Sequence, residues 1–290
     1  VNPKFDTEAA KTTGLYNQLV AQKDRPVADV FWNNEIARTI QLANQGLATD
    51  LSDLIPESLP EKWRDPNGRW AAFSLRARVL VYNTDMLGGD NAEQPPTSLK
   101  ELTDPKWEGR VAMANPLFGT TAAHMAALTL LWGEEETDRW LNDLKLNGLR
   151  LVEGNSVVRD VVARGEVAVG LTDTDDVFAG MAEGMTIDFL PPGQDGMGTF
   201  AMPNSVIRIA GGPHPKGAET FIRYLLSREV ERMMAFSRAR HIPVREGVEH
   251  PEELDRFEGL VTMDVDYNEV AALMEETAKR MERIFLINAE

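Results

Sequence analysis

"AAFSLRARVLVYN", residues 71–83, decides how this chain is read. Its aromatic and β-branched residues (Phe73, Val79, Val81, Tyr82) mark a strand, which ends at the turn residues Asn83-Thr84-Asp85. Side chains on a strand alternate between its faces, so Ser74, Arg76 and Arg78 share one side. An arginine inside an apolar strand is costly to bury unless something answers its charge. Arg76 and Arg78 are therefore read as facing a ligand.

Short apolar strands and helical stretches alternate on both sides of this segment. Val1–Phe5 and residues 27–32 read as strands, and a helix from about residue 35 is stopped by Gly46. Further on, "VAMANP" (111–116) is a strand. The apolar helix that follows opens at Gly119-Thr120-Thr121, and another helix covers 134–146. "NSVVRDVVARGE" (155–166) is helical and runs into a strand, 167–171. Two strand candidates lie in 187–209, and helices are expected at 217–226, 228–236 and 267–284. Such alternation predicts an α/β fold with mostly parallel sheets and helices on both faces. A length of 290 residues allows one large or two ordinary domains.

Composition removes several classes of function. The 46 acidic residues outnumber the 30 lysines and arginines, for a net charge of −16. Nucleic acid and anionic membrane surfaces are poor partners for such a chain. There is no cysteine, which excludes thiol catalysis, zinc–thiolate sites and disulfides. No apolar run approaches the ~18 residues of a membrane-spanning helix, and Val1-Asn2-Pro3-Lys4-Phe5 is not a charged-then-apolar leader. The four histidines show no metal spacing, and no nucleophile elbow, phosphate loop or dinucleotide fingerprint occurs.

"GLTDTDDVFAG", residues 170–180, holds the chain's most concentrated chemistry. Asp173, Asp175 and Asp176 follow a strand directly, where open α/β sheets place ligands. They offer hard oxygen ligands to a metal or acceptors to an ammonium group. The plainer alternative is helix capping, since Asp and Thr favour first turns. A calcium-loop reading fails because the sixth position from Asp173 is Phe178, where glycine is needed. Gly119, Thr120 and Thr121 at a helix start form an anion seat or an ordinary cap, and Thr12 and Thr13 form a second such pair. Trp32-Asn33-Asn34-Glu35 also follows a strand: Trp32 and Asn34 are ligand candidates or packing, and Glu35 a ligand candidate or first-turn charge. Asn155 and Asn204 are further candidates.

The order of motifs resembles the periplasmic solute-binding proteins of the ferric-ion type. "ADVFWNNE" (28–35), "LRARVLVYNTDML" (75–87), "DPKWEGRVAMANP" (104–116), "NSVVRDVVARGEVAVGLTDTDD" (155–176) and "AMPNSVIRIAGGPHPKGAETFIRYLLS" (201–227) with "ARHIPVREGV" (239–248) fall in that family's sequence. The resemblance implies a type II periplasmic-binding fold of two α/β lobes with a ligand cleft. Lobe one would be residues 1–77 plus 204–290, without the family's first strand and helix, and lobe two 78–203. It also implies the ligand-receiving subunit of an ABC importer: monomeric, periplasmic or extracytoplasmic with its signal peptide removed, without catalytic activity or cofactor. The family's paired iron-binding tyrosines align with Asp175 and Asp176, and its acidic ligand with Asn34 next to Glu35. Glu35, Asp175 and Asp176 thus become the candidate metal ligands. The expected cargo is a small charged ligand, either a metal ion with a phosphate-like anion or a zwitterion. The alternatives are a binder of an organic amine or amino-phosphonate, and an α/β enzyme using Asp175 and Asp176 as acid–base groups.

Overall fold

The computed structural model describes residues 1–5, 13–89 and 93–285. Thr12 lies outside them, and of Thr13 only its place at the start of a helix is described. The chain divides into two compact units. One comprises Val1–Leu75, Met202–Ser237 and His241–Asp255. The other comprises Arg76–Ala201, Arg238–Arg240 and the chain from Arg256 onward.

The first unit is built on a small antiparallel sheet. β1 (Val30–Asn33) and β2 (Ala48–Thr49) both pair with β8 (Ala201–Ile209), in registers Val30↔Arg208 and Ala48↔Ile209. α1 (Thr13–Ala21) and α2 (Ile36–Asn44) accompany these strands, and α7 (Pro215–Leu225) and α8 (Arg228–Phe236) follow β8. α2 buries Ile36, Ile40, Leu42 and Ala43.

The second unit carries the larger sheet, in the order β7–β3–β6–β4–β5. Its strands are β3 (Ala71–Asn83), β4 (Val111–Ala114), β5 (Arg150–Val152), β6 (Val169–Asp173) and β7 (Ile187–Leu190). α3 (Gly119–Trp132) is apolar all round and buried from Thr120 to Thr129, as a core helix must be. α4 (Glu134–Leu146), α5 (Asn155–Ala163), α6 (Thr174–Ala182) and α9 (Tyr267–Phe285) complete the unit.

Three expectations are corrected. Among the described pairings, parallel pairing is confined to β4–β5 and β4–β6. β3 runs antiparallel to β6 and β7, and β8 antiparallel to β1 and β2. Both long strands have residues in each unit, so neither enters through the helical crossover that makes neighbours parallel. Val1–Phe5 forms no strand. The end of the chain, assigned by sequence to lobe one with the rest of 204–290, joins the second unit instead. There α9 buries Val270, Ala271, Met274, Met281 and Ile284 and packs on α3 and α4. Arg280, 3% exposed, donates to Asp138 and to the Glu134 carbonyl at 2.8 Å.

One glycine sets the spacing beneath the functional end of the sheet. A Cβ on Gly170 in β6 would lie 2.3 Å from Val158 Cγ1 of α5, so only hydrogen lets the helix approach this closely. Gly170→Val is expected to overpack this contact and cost about 1–3 kcal/mol, read from the urea unfolding midpoint. An unshifted midpoint would show that α5 can move away freely.

Candidate functional site

The register of β3 against β6 places Arg78 opposite Asp173, with Leu80↔Leu171 and Tyr82↔Val169 further along. The opposite charges are thus brought together by strand pairing itself. Asp173 is 1% exposed and Arg78 fully buried, and the two form an ion pair. Two residues earlier on the same face, Arg76 Nη1 donates to Asp173 Oδ2 at 3.1 Å and to both oxygens of Asp175 at 3.1 Å. Burial alone would loosen Arg76's proton, but the charges of Asp175 and Asp173 outweigh it and hold the guanidinium above the usual arginine range.

Two helix starts complete the shell of Asp173. Thr120 Oγ1, in the first turn of α3, donates to Asp173 Oδ2 at 2.7 Å. Asn155, the first residue of α5, donates from Nδ2 to the same oxygen at 3.1 Å and to Thr120 Oγ1 at 2.9 Å. Its Oδ1 accepts from Arg78 Nη1 at 2.9 Å and from Thr121 Oγ1 at 3.4 Å. Thr174 is buried, and its Oγ1 accepts from the Ala77 amide at 3.2 Å. Asp173 is the N-cap residue of α6, yet its carboxylate makes no capping bond because arginine, threonine and asparagine donors occupy it. The starts of α3 and α5, at Phe118 and Gly154, also lack side-chain caps. Neither Phe118 nor Gly154 thus answers the positive end of its helix dipole with a side-chain cap.

Asp175 and Asp176 occupy the first turn of α6, half-buried. Carboxylate oxygens of Asp173, Asp175 and Asp176 lie within 4.8 Å of one another. Burial, then the charges of Asp175 and Asp173, push the Asp176 carboxyl well above its usual range, with Arg76 and Arg159 opposing. The end of this cluster is thus electrostatically receptive to positive charge.

The structure brings together, in the second unit, seven of the residues singled out by sequence: Arg76, Arg78, Thr120, Asn155, Asp173, Asp175 and Asp176. Thr121 joins through Asn155, and Gly119 opens α3 at φ +57°. The arginines, read from sequence as reaching toward a ligand anion, have their charges answered inside the protein by Asp173 and Asp175. Glu35, expected as a metal ligand, is instead the buried N-cap of α2: Oε1 accepts from the Ala37 amide at 2.8 Å and Oε2 from Arg38 at 3.1 Å. Both its oxygens are held by backbone. Asn34 is exposed, and Trp32 is 44% exposed with its ring edge-on to Phe73 at 5.0 Å. Asn204 bridges Ser74 Oγ and His241 Nδ1 in the core of the first unit. The four tyrosines are engaged elsewhere: Tyr16 with Gln45, Tyr82 with Asp188, Tyr224 with Met233 and Tyr267 with the Ala201 carbonyl.

The bacterial extracellular solute-binding protein family matches residues 25–268. The chain belongs to that family. "Iron uptake protein A1" of Synechocystis sp. is 28% identical over 257 residues, 84% of this chain and 69% of that protein. The "Fe(3+)-binding periplasmic protein" of Serratia marcescens is 34% identical over 157 residues, 54% of this chain and 45% of that one. Among solved structures, iron-bound HitA from Pseudomonas aeruginosa superposes with a TM-score of 0.81 at 26% identity, covering 94% of this chain and 88% of that one. The ferric binding protein from Campylobacter jejuni shares the fold, with a TM-score of 0.84 at 20% identity and coverage of 95% and 89%. The fold is thus the two-lobe periplasmic-binding one, in a family of binding proteins rather than enzymes.

One residue beside the network was not singled out by sequence. His124 on α3 is fully buried, neither ring nitrogen has a hydrogen-bond partner, and the ring stacks on Phe200 at 5.5 Å. Burial, then the charge of Arg78, hold its pKa well below 6.5. The unfolded chain therefore binds a proton that the folded chain refuses. This contribution to stability is present above about pH 6.5 and is lost as pH falls below it. In His124→Phe, which keeps the ring stack, the decline of stability between about pH 6.5 and 4.5 should be visibly shallower by denaturant titration. An identical slope would show that His124 does not titrate differently on folding.

Proposed function

We propose that this protein is the solute-binding component of an ABC import system. It works as a monomer in the periplasmic or extracytoplasmic space and hands its cargo to the importer's membrane subunits. The two units are the lobes of the family fold. The cargo is a small charged solute, carried without chemical change. Its positive part is received by Asp175 and Asp176, and its acidic part by the uncapped start of α3 at Gly119–Thr121.

One observation carries this reading. Of three carboxylates within 4.8 Å of one another, Asp173 is committed to its internal donors and Asp175 to Arg76, while Asp176 lies half-buried beside them in the first turn of α6. Two buried arginines are balanced by Asp173 and Asp175; the ion-pair network does not need a third carboxylate, Asp176, crowded against it. Relatives are named for iron, but the four tyrosine hydroxyls of this chain are hydrogen-bonded with Gln45, Asp188, Met233 and the Ala201 carbonyl. Ferric capture through paired phenolates is not the route here.

A thermal-shift and calorimetry panel of small charged solutes tests the proposal. A ligand should raise the melting temperature without turnover, by mass action on the folded state. Each charge-assisted bond contributes on the order of 1.5–3 kcal/mol, so the Asp175→Asn, Asp176→Asn double variant should bind at least tenfold more weakly while melting normally. Ferric salt should give no visible phenolate-to-iron band. Full affinity in the double variant would return the two aspartates to a role in starting α6.

A further inference from the structure

We infer that His250, Asp255 and Glu258 form a second binding site, separate from the Asp173 cluster, for a divalent first-row transition ion of the zinc, nickel and copper class.

The three residues lie in one continuous stretch, "HPEELDRFE", residues 250–258. Its local structure gathers them. Pro251 biases His250 toward extended backbone. A 3-10 turn, Glu252–Phe257, follows, and the Leu254 amide donates to the Pro251 carbonyl at 2.9 Å. In such a turn, side chains three positions apart eclipse. Leu254 and Phe257 therefore share one side and are buried, while Asp255 and Glu258 share another and are exposed. Phe257 stacks on Phe189 at 5.8 Å, and Arg256 donates to the Phe189 carbonyl at 2.9 Å. The buried side thus fixes the turn, and the turn presents both carboxylates in place.

His250 completes the donor set. One of its ring nitrogens and one carboxylate oxygen each from Asp255 and Glu258 lie within 4.8 Å of one another. Nδ1 stands 3.6 Å from Asp255 Oδ1 and 3.2 Å from the Pro251 carbonyl oxygen. Donors on a tetrahedral ion with bonds of ~2.0–2.1 Å lie about 3.3–3.4 Å apart, so small side-chain shifts close the site. Both groups beside Nδ1 are acceptors. Such a place holds a proton on the ring, or a metal that displaces it.

Charge separates this cluster from the one around Asp173, where Arg76 and Arg78 answer the acids. Among the described residues, no lysine or arginine pairs with Asp255 or Glu258, and Arg256 is turned to Asp188 at 3.0 Å. Two carboxylates and a neutral imidazole sum to the charge that a divalent ion balances. The imidazole favours zinc, nickel or copper over calcium and magnesium, which take oxygen donors. Spacing between histidines does not reveal this site, because the partners of His250 are carboxylates.

Calorimetry on the EDTA-dialysed whole protein, with zinc, nickel, calcium and magnesium chlorides in a non-chelating buffer, tests the inference. Zinc and nickel should bind, and calcium and magnesium should bind at least tenfold more weakly. His250→Ala and Glu258→Gln should each lose at least tenfold in zinc affinity while melting like the parent in EDTA. His214→Ala, which removes an exposed histidine paired with Asp29 at 3.1 Å, should leave zinc binding unchanged. Copper(II) on the parent should show nitrogen hyperfine splitting by electron paramagnetic resonance, lost in His250→Ala. Zinc binding kept in His250→Ala but lost in Asp176→Asn would overturn the assignment by placing the ion at the other cluster. Equal zinc affinity in all variants, calcium as tight as zinc, or no heat from any metal would overturn it too, leaving His250 as an ion-pair partner of Asp255.

Discussion

Asp173 is the constraint on which the second unit depends. A carboxylate that is 1% exposed cannot stand alone, and its surroundings are arranged to answer it. Strand pairing supplies Arg78, the alternation of β3 supplies Arg76, and the first turns of α3 and α5 supply Thr120 and Asn155. These bonds tie β3, β6, α3, α5 and α6 to one another at the C-terminal end of β6. Gly170 allows α5 to come close enough for this by leaving room for Val158.

That arrangement also decides what is left over. Because Asp173 spends its carboxylate on arginines and helix starts, it does not cap α6, and the first turns of α3 and α5 use their side chains on Asp173 and on each other. The outcome is a patch where helix dipoles favour an acidic group, next to two carboxylates that favour a positive one. Asp176 shows this through its strongly raised pKa, caused by burial and then by Asp175 and Asp173. Paired charges, Asp173 and Asp175 against Arg76 and Arg78, form the frame, and in the proposed function the half-buried Asp175 and Asp176 at its edge meet the ligand.

Much of this was legible in the sequence. The strand at 71–83, the helix starts at 119 and 155, and the cluster after 169 were each readable from local pattern, because propensity, periodicity and tertiary structure agree there. The order of motifs pointed to the family. What local pattern could not show was pairing. Arg76 and Arg78 are about a hundred residues away from Asp173 in the chain, and only the β3–β6 register reveals that they answer each other rather than a ligand. Glu35 carries two readings in sequence for a related reason, since a capping carboxylate and a ligating one look alike before the Ala37 and Arg38 amides are seen on it. The placement of α9 depended on which surface its apolar face would meet, and that is settled by α3 and α4. His124 gave no signal at all, because a buried histidine without partners resembles any other helical residue.

The central claim is that Asp173 builds the site whereas Asp175 serves it. Urea denaturation of Asp173→Asn and Asp175→Asn, side by side in the absence of ligand, tests it most directly. Removing one charge from a buried, hydrogen-bonded network typically costs about 3–5 kcal/mol, and Asp173→Asn should fall in that range. The Asp175 side chain retains 24% exposure and its partner Arg76 keeps Asp173, so Asp175→Asn should cost clearly less than Asp173→Asn. Comparable losses in the two variants, or a larger loss at Asp175, would contradict the account.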